Sequence, residues 1–380
     1  MRSPVREIFK KVDLNSIFSF AGGYPSADTF PIDDIKELVS VVFDKYGTAP
    51  LQYGATQGVD VLRKALSERY NVDIERVQIT TSSQQGIDVC CRIFINPGDV
   101  ILTSNPTYLG ALQSFKSYRA RLIGINYTSD VKSLRNSYER IIEQLREEGA
   151  NIKFLYLIPD FQNPSGETLS LEAREMFVEL ADIYNFLIIE DSPYYELRYE
   201  GNSVASMYTL DSDRVLHLGS FSKIFAPGFR LGWIFGNPKL LDMIYVCKQS
   251  LDLCPPVFDQ YLAAEFLQSG RLERNLEKSR ALYKEKRDLM LKLLNEYMPS
   301  GIRWTIPEGG LFLFLYLPSS FDSVAFYDKS LSSGVAYVAG SFFFTEGGRN
   351  TMRLNFSFMS KEKIREGIVR LSQLLTDEII

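Results

Sequence analysis

Apolar residues follow two periods along this chain. Between residues 77 and 235 short apolar runs recur: Val77-Gln78-Ile79-Thr80-Thr81, Val100 to Thr103, Leu122 to Ile125, Phe154 to Ile158, Phe186 to Asp191, Arg214-Val215-Leu216-His217-Leu218 and Leu231 to Phe235. Near-continuous runs of this length read as buried strands. Helical patterns separate them at 82–95, after Tyr108, at 132–148 and at 170–184. Ser82 stands where an N-cap hydroxyl is favoured, ahead of free backbone N–H groups. Alternation of this kind predicts an α/β fold, a mostly parallel sheet sandwiched by helices. Upstream, Ile32 to Tyr46 and Val59 to Tyr70 read as helices, and Val5, Ile8, Phe9 and Val12 give residues 1–18 an amphipathic helical spacing. Beyond Pro238 the pattern is helical through 239–251 and along a stretch at 257–297. Strands at Leu311 to Leu317, Val335 to Val338 and Thr351 to Phe356, closed by a helix from Lys361 to Leu375, predict a smaller α+β lobe.

Bulk properties narrow the function by elimination. At 380 residues the chain exceeds one ordinary core and should hold two packed lobes. A formal charge of −5 gives no broad basic field, so neither nucleic acid nor an anionic membrane is expected as a partner. No apolar run approaches the roughly 20 residues of a membrane span. Residues Met1 to Glu7 lack the apolar core of a signal peptide, which makes cytoplasm the expected location. Cys90, Cys91, Cys247 and Cys254 have no metal-type spacing and read as buried free thiols. The single histidine, His217, lies inside an apolar strand and reads as a satisfied core residue, so no metal site is expected. Neither G-x-x-x-x-G-K-[ST] nor G-x-G-x-x-G occurs.

The chemistry concentrates in Gly219-Ser220-Phe221-Ser222-Lys223-Ile224-Phe225-Ala226-Pro227-Gly228-Phe229-Arg230-Leu231-Gly232. A lysine at the mouth of a buried strand loses its proton more easily, and a neutral amine attacks an aldehyde. Two hydroxyls and the Arg230 guanidinium make a small anion site suited to one phosphate. Lysine for an aldehyde beside donors for a phosphate is what pyridoxal phosphate requires. Ser82, Tyr108, Asn163, Asp191 and Lys223 all follow predicted strands, where ligands bind in open α/β sheets. Asp191 could meet a protonated pyridine nitrogen, or close its strand in a structural hydrogen bond. Asn163 and Tyr194 are donors suited to a phenolic oxygen, and Tyr108 could stack on a ring. Arg353 could clamp an α-carboxylate or serve a structural ion pair. A released Lys223 is then the natural base for the α-proton, which leads to transamination.

In order and spacing these segments resemble the fold-type I pyridoxal-phosphate-dependent aminotransferases of class I/II. The closest likeness is to the subgroup acting on 2-aminoadipate, kynurenine and aromatic amino acids. The match runs through Ala21-Gly22-Gly23-Tyr24-Pro25, Leu51-Gln52-Tyr53-Gly54, Ser82-Ser83-Gln84-Gln85-Gly86 and Asn105-Pro106-Thr107-Tyr108. It continues through Phe161-Gln162-Asn163-Pro164-Ser165-Gly166, Glu190-Asp191-Ser192-Pro193-Tyr194-Tyr195-Glu196, the lysine stretch, Glu308-Gly309-Gly310-Leu311-Phe312 and Arg353-Leu354-Asn355-Phe356. The resemblance implies Lys223 as Schiff-base lysine, Asp191 as partner of the ring nitrogen, and Asn163 and Tyr194 on the phenolic oxygen, with Tyr108 over the ring. It places Ser83, Gln84, Ser220, Ser222 and Arg230 on the phosphate, and Arg353 with Gly23 at the substrate carboxylate. It further implies a homodimer in which Tyr53 reaches the neighbouring subunit's phosphate, and Arg6 as a grip for a distal carboxylate. On that reading residues 46–297 are the large cofactor-binding domain. Residues 1–45, an N-terminal arm and part of the small domain, join the C-terminal small domain at 298–380.

The expected reaction moves the α-amino group of an amino acid to a 2-oxo acid, 2-oxoglutarate foremost, by a ping-pong route. A lyase or decarboxylase on the same fold is the alternative. A regulator with an aminotransferase-like domain would carry a winged helix-turn-helix ahead of it, and about 20 residues precede Gly22-Gly23 here. Asp160, Tyr24 and Gly340-Ser341 depart from the more usual residues, and are expected to line or border the substrate side.

Overall fold

The computed structural model describes residues 17–379. The helix expected over 1–18 lies almost wholly outside the described residues, as does Arg6. Phe18 and Ser19, at its expected end, form a strand instead.

Thirteen strands occur among the described residues: β1 (Phe18–Ser19), β2 (Val77–Thr80), β3 (Val100–Asn105), β4 (Arg121–Asn126), β5 (Ile152–Leu157), β6 (Leu187–Asp191), β7 (Val215–Ser220), β8 (Gly232–Phe235), β9 (Arg303–Trp304), β10 (Phe312–Tyr316), β11 (Val335–Ala336), β12 (Val338–Ala339) and β13 (Thr351–Asn355). Seven form one sheet in the order β2-β8-β7-β6-β5-β3-β4. Every neighbouring pair is parallel except those of β8, which runs antiparallel to both β2 and β7. The carboxyl ends of β2 to β7 therefore share one edge. All residues of β2, β7 and β8 are buried, while the edge strand β4 is largely open. Burial on both faces is why the central strands read as unbroken apolar runs. Flanking helices include Ser82–Phe94, Leu109–Ser117, Val131–Glu147, Leu171–Tyr184 and Pro238–Gln249.

His217 on β7 is buried. Its Nδ1 lies 3.0 Å from Glu190 Oε2, and its ring stacks on Phe235. Glu190 also accepts the N–H groups of Met207 and Tyr208. Burial alone would raise its carboxyl, but the His217 bond and these donors hold it below its ordinary value. Cys90 and Cys91 are buried free thiols, whereas Cys247 and Cys254 are only half-buried, contrary to expectation.

A four-stranded antiparallel sheet, β12-β13-β10-β9, and a parallel β1-β11 pair make up the rest. The single strand expected at Val335–Val338 is thus two, serving different sheets. The long helix expected at 257–297 is also two, Val257–Gln268 and Arg271–Tyr297. They part at Gly270, whose φ of +71° costs a glycine nothing. Among the described residues no helix is long and apolar enough to cross a membrane.

Candidate active site

A cleft of about 450 Å³ opens along the shared carboxyl edge. Its walls take Ser82, Ser83 and Gln84 from beyond β2, Tyr108 from beyond β3, Asn163 from beyond β5, Asp191 and Tyr194 from β6 and its following turn, Ser220 from the end of β7, and Ser222, Lys223 and Arg230 from the β7–β8 connection. Gly23, Tyr24 and Arg353 close the other side.

One end is a cluster of donors. Ser82 is the first residue of its helix, with φ +67°, and does not act as the N-cap. Its hydroxyl instead accepts from Arg230 Nη2 at 2.6 Å. The N-cap position belongs to Thr81, whose N–H donates to Gln85 Oε1 at 2.8 Å. This tight start is possible because Gly232 has no side chain: a Cβ there would sit 2.7 Å from the backbone of Ser82 and Ser83. Ser220 Oγ accepts the Ser222 N–H at 3.1 Å. Hydroxyls, a guanidinium and a helix N-terminus at one point form an anion site.

Lys223 Nζ donates to Gly23 O at 2.8 Å. Burial lowers this amine to about 8, and the charges of Arg353 and Arg230 push it the same way. Asp191 is buried, and its Oδ2 accepts from Tyr156 Oη at 2.6 Å. Its Oδ1 is buried without a hydrogen-bond partner among the described residues. Burial lifts the Asp191 carboxyl to about 6, against the opposing effect of the Tyr156 bond and of His217. Tyr108 Oη donates to Gln84 Oε1 at 3.2 Å.

At the opposite end Arg353 reaches in from β13. Its Nη1 donates to Asn163 Oδ1 at 2.8 Å and its Nη2 to Ala21 O. The guanidinium lies 4.2 Å from the Phe312 ring centre and 4.9 Å from that of Phe343. Burial lowers it to about 10, which leaves it charged at neutral pH.

Tyr53 does not reach the cleft of its own chain. It is 80% exposed, beside a separate hollow lined by Tyr46, Leu51, Val257 and Tyr261. Tyr24 lines the cleft, but Asp160 and Gly340 do not. Asp160 is buried against Arg174, whose Nη2 donates to it at 2.8 Å, and Gly340 packs on Thr351. An aspartate there answers a buried arginine and not a substrate. Sequence reasoning missed Tyr156 and Phe343, and singled out Phe312 only within the Glu308 to Phe312 motif, with no role at Arg353. Each sits in an apolar stretch where an aromatic reads as packing, so only the folded arrangement discloses them: strand register for Tyr156, and the approach of Arg353 for Phe312 and Phe343.

With this geometry in place the comparisons are decisive. The profile described as Aminotransferase class I and II matches residues 25–371, and the chain belongs to that family. Over 385 aligned residues it is 43% identical to aromatic-amino-acid aminotransferase 1 of Thermococcus litoralis, spanning 99% of this chain and 92% of the relative. The structure of Pyrococcus horikoshii kynurenine aminotransferase, solved with PMP, matches with a TM-score of 0.94 at 41% identity, covering 100% of this chain and 96% of the other. LysN, the α-aminoadipate aminotransferase of Thermus thermophilus complexed with N-(5'-phosphopyridoxyl)-L-leucine, matches with a TM-score of 0.91 at 33% identity, covering 100% and 96%. The chain is a transaminase of the pyridoxal-phosphate-dependent kind.

The residues present fit that cofactor. The unpartnered buried Oδ1 of Asp191 calls for a cationic donor, which a protonated pyridine supplies. The donor cluster at Arg230 calls for an anion, and the lowered amine of Lys223 suits an aldehyde.

Proposed function

We propose that this enzyme moves the α-amino group of an aromatic amino acid, 2-aminoadipate or a related donor to 2-oxoglutarate, by a ping-pong route through Lys223. One observation carries the reading: a single cleft holds a lowered amine, an orphaned carboxylate oxygen and a buried guanidinium. When bound, pyridoxal phosphate supplies an aldehyde for the amino group and a protonated ring that withdraws electrons. Ser83, Gln84, Ser220, Ser222 and Arg230 would hold its phosphate. Asp191 would hold its ring nitrogen, and Asn163 and Tyr194 its phenolic oxygen, with Tyr108 against the ring. Arg353 would take the donor carboxylate beside Gly23, exchanging its bond to Ala21 O for a bidentate one. Lys223 Nζ, neutral in a growing fraction as pH rises toward 8, moves the proton at the donor's α-carbon.

The donor classes named follow the most similar relatives: aromatic amino acids in the Thermococcus protein, kynurenine in the Pyrococcus one and aminoadipate in LysN. Arg6 would grip a distal carboxylate, and Tyr53 would serve the neighbouring subunit of a homodimer. A donor panel against 2-oxoglutarate tests the reaction. Glutamate should form with aromatic or aminoadipate donors; ammonia or CO2 without glutamate would overturn it in favour of a lyase or decarboxylase.

A further inference from the structure

Tyr156 and Asp191 stand on adjacent strands, β5 and β6. The register pairs Tyr156 with Ile189, two residues before Asp191. Residues two apart on a strand share a face, so Tyr156 and Asp191 are diagonal neighbours on one side of the sheet. Glu190, between them in sequence, faces the other side with His217. The Tyr156 ring is fully buried and meets Phe115 edge-on at 5.3 Å, which fixes the direction of its hydroxyl. That hydroxyl ends 2.6 Å from Asp191 Oδ2. Of the two carboxylate oxygens only Oδ1 is then left without a partner, in a residue that lines the cleft.

From this geometry we infer that Tyr156 is a positioning residue. Its hydroxyl occupies Oδ2, fixes the carboxylate plane and leaves Oδ1 as the one acceptor for the cofactor's ring nitrogen. The inference rests on the role given above to Asp191. A phenol donating to a carboxylate also favours the ionised form. Without it, burial would act on Asp191 with little opposition, and the carboxylate would compete with the ring nitrogen for the shared proton. The titratable and charged groups around the pair are His217 on β7, bonded to Glu190, then Tyr194, and Tyr108, Lys223 and Arg353 in the same cleft. Among the described residues none donates a hydrogen bond to Oδ1.

The test compares Tyr156→Phe with Asp191→Asn in purified holoenzyme. The readouts are the pH midpoint of the bound cofactor's visible absorbance, the rate of cofactor loss on dialysis, and kcat against KM. Tyr156→Phe should raise the midpoint by about half a pH unit, since a less positive ring withdraws fewer electrons. It should also speed cofactor loss and lower kcat by about tenfold each, with KM for the donor nearly unchanged. In the Asp191→Asn background the same substitution should move the midpoint no further. A merely structural tyrosine would lower the melting temperature and leave the midpoint in place, and that result overturns the inference. If Asp191→Asn itself leaves the midpoint unmoved, the role of Asp191 falls first. If Asp191→Asn moves it and Tyr156→Phe does not, only the role of Tyr156 falls. Should Tyr156→Phe fail to fold, Tyr156→Met removes the hydroxyl with another apolar filler and is read in the same way.

Discussion

At the Arg230 end of the cleft, the polar groups come from one sheet and its first turns. Ser82 follows β2, Asp191 closes β6, and Lys223 and Arg230 lie between β7 and β8, whose ends are paired through Ser220 and Gly232. The Arg353 end is assembled from parts far apart in the chain. The guanidinium comes from β13, its partners are Asn163 beyond β5 and the carbonyl of Ala21, and its aromatic walls are Phe312 on β10 and Phe343. The first end is a rigid fixture on buried strands. On the proposed function the second would meet its ligand by trading existing bonds, so affinity there would depend on how the two sheets sit together. On that reading the difference would separate binding of a resident group from turnover of a passing one.

Substitutions at each end should therefore fail differently. Lys223→Ala should cut transamination by about 10^4-fold or more and abolish the visible band of the bound cofactor. A retained band with residual turnover near the parent rate would remove Lys223 from the chemistry. Arg353→Leu should lower kcat/KM for all donors by roughly a hundredfold, with the band intact. A lost band instead would mean that the two ends are not separable. Arg230→Gln should raise the half-saturating cofactor concentration by about tenfold while leaving donor KM within about twofold. The mildest effect is on pH. Only the neutral form of Lys223 attacks an aldehyde, and its lowered value near 8 sets that fraction. Uptake of pyridoxal phosphate by the apoenzyme should thus speed up as pH rises toward 8 and level off above it. A flat profile, or a rise continuing past pH 10, would show that burial does not prepare this amine.

Much of the first end was legible in the amino-acid sequence. Strands buried on both faces leave near-continuous apolar runs; Ser82, Tyr108, Asn163 and Lys223 each follow one, and Asp191 ends one. What escaped depends on register and on distant approach. Ser82 has the composition of a cap, yet its hydroxyl turns to Arg230, and the reason is a glycine 150 residues away, Gly232, whose missing Cβ admits its backbone. Tyr156 is indistinguishable from packing until β5 is laid beside β6. Asp160 pairs with the buried Arg174, a partner no spacing announces. The break at Gly270 was open to a closer reading, since glycine inside a helical pattern marks an end as readily as a tolerated lapse.

The antiparallel strand β8 has a consequence for length. Because it returns beside β7, the chain leaves and re-enters the sheet at neighbouring points, and residues 221–231 form a closed arch. Lys223 and Arg230 stand on the two legs of that arch, so the reach from the amine to the guanidinium is set by a fixed count of residues across pinned feet. The arch works as a gauge cut to one molecular span. It accepts changes of side chain far more readily than a residue gained or lost between its legs.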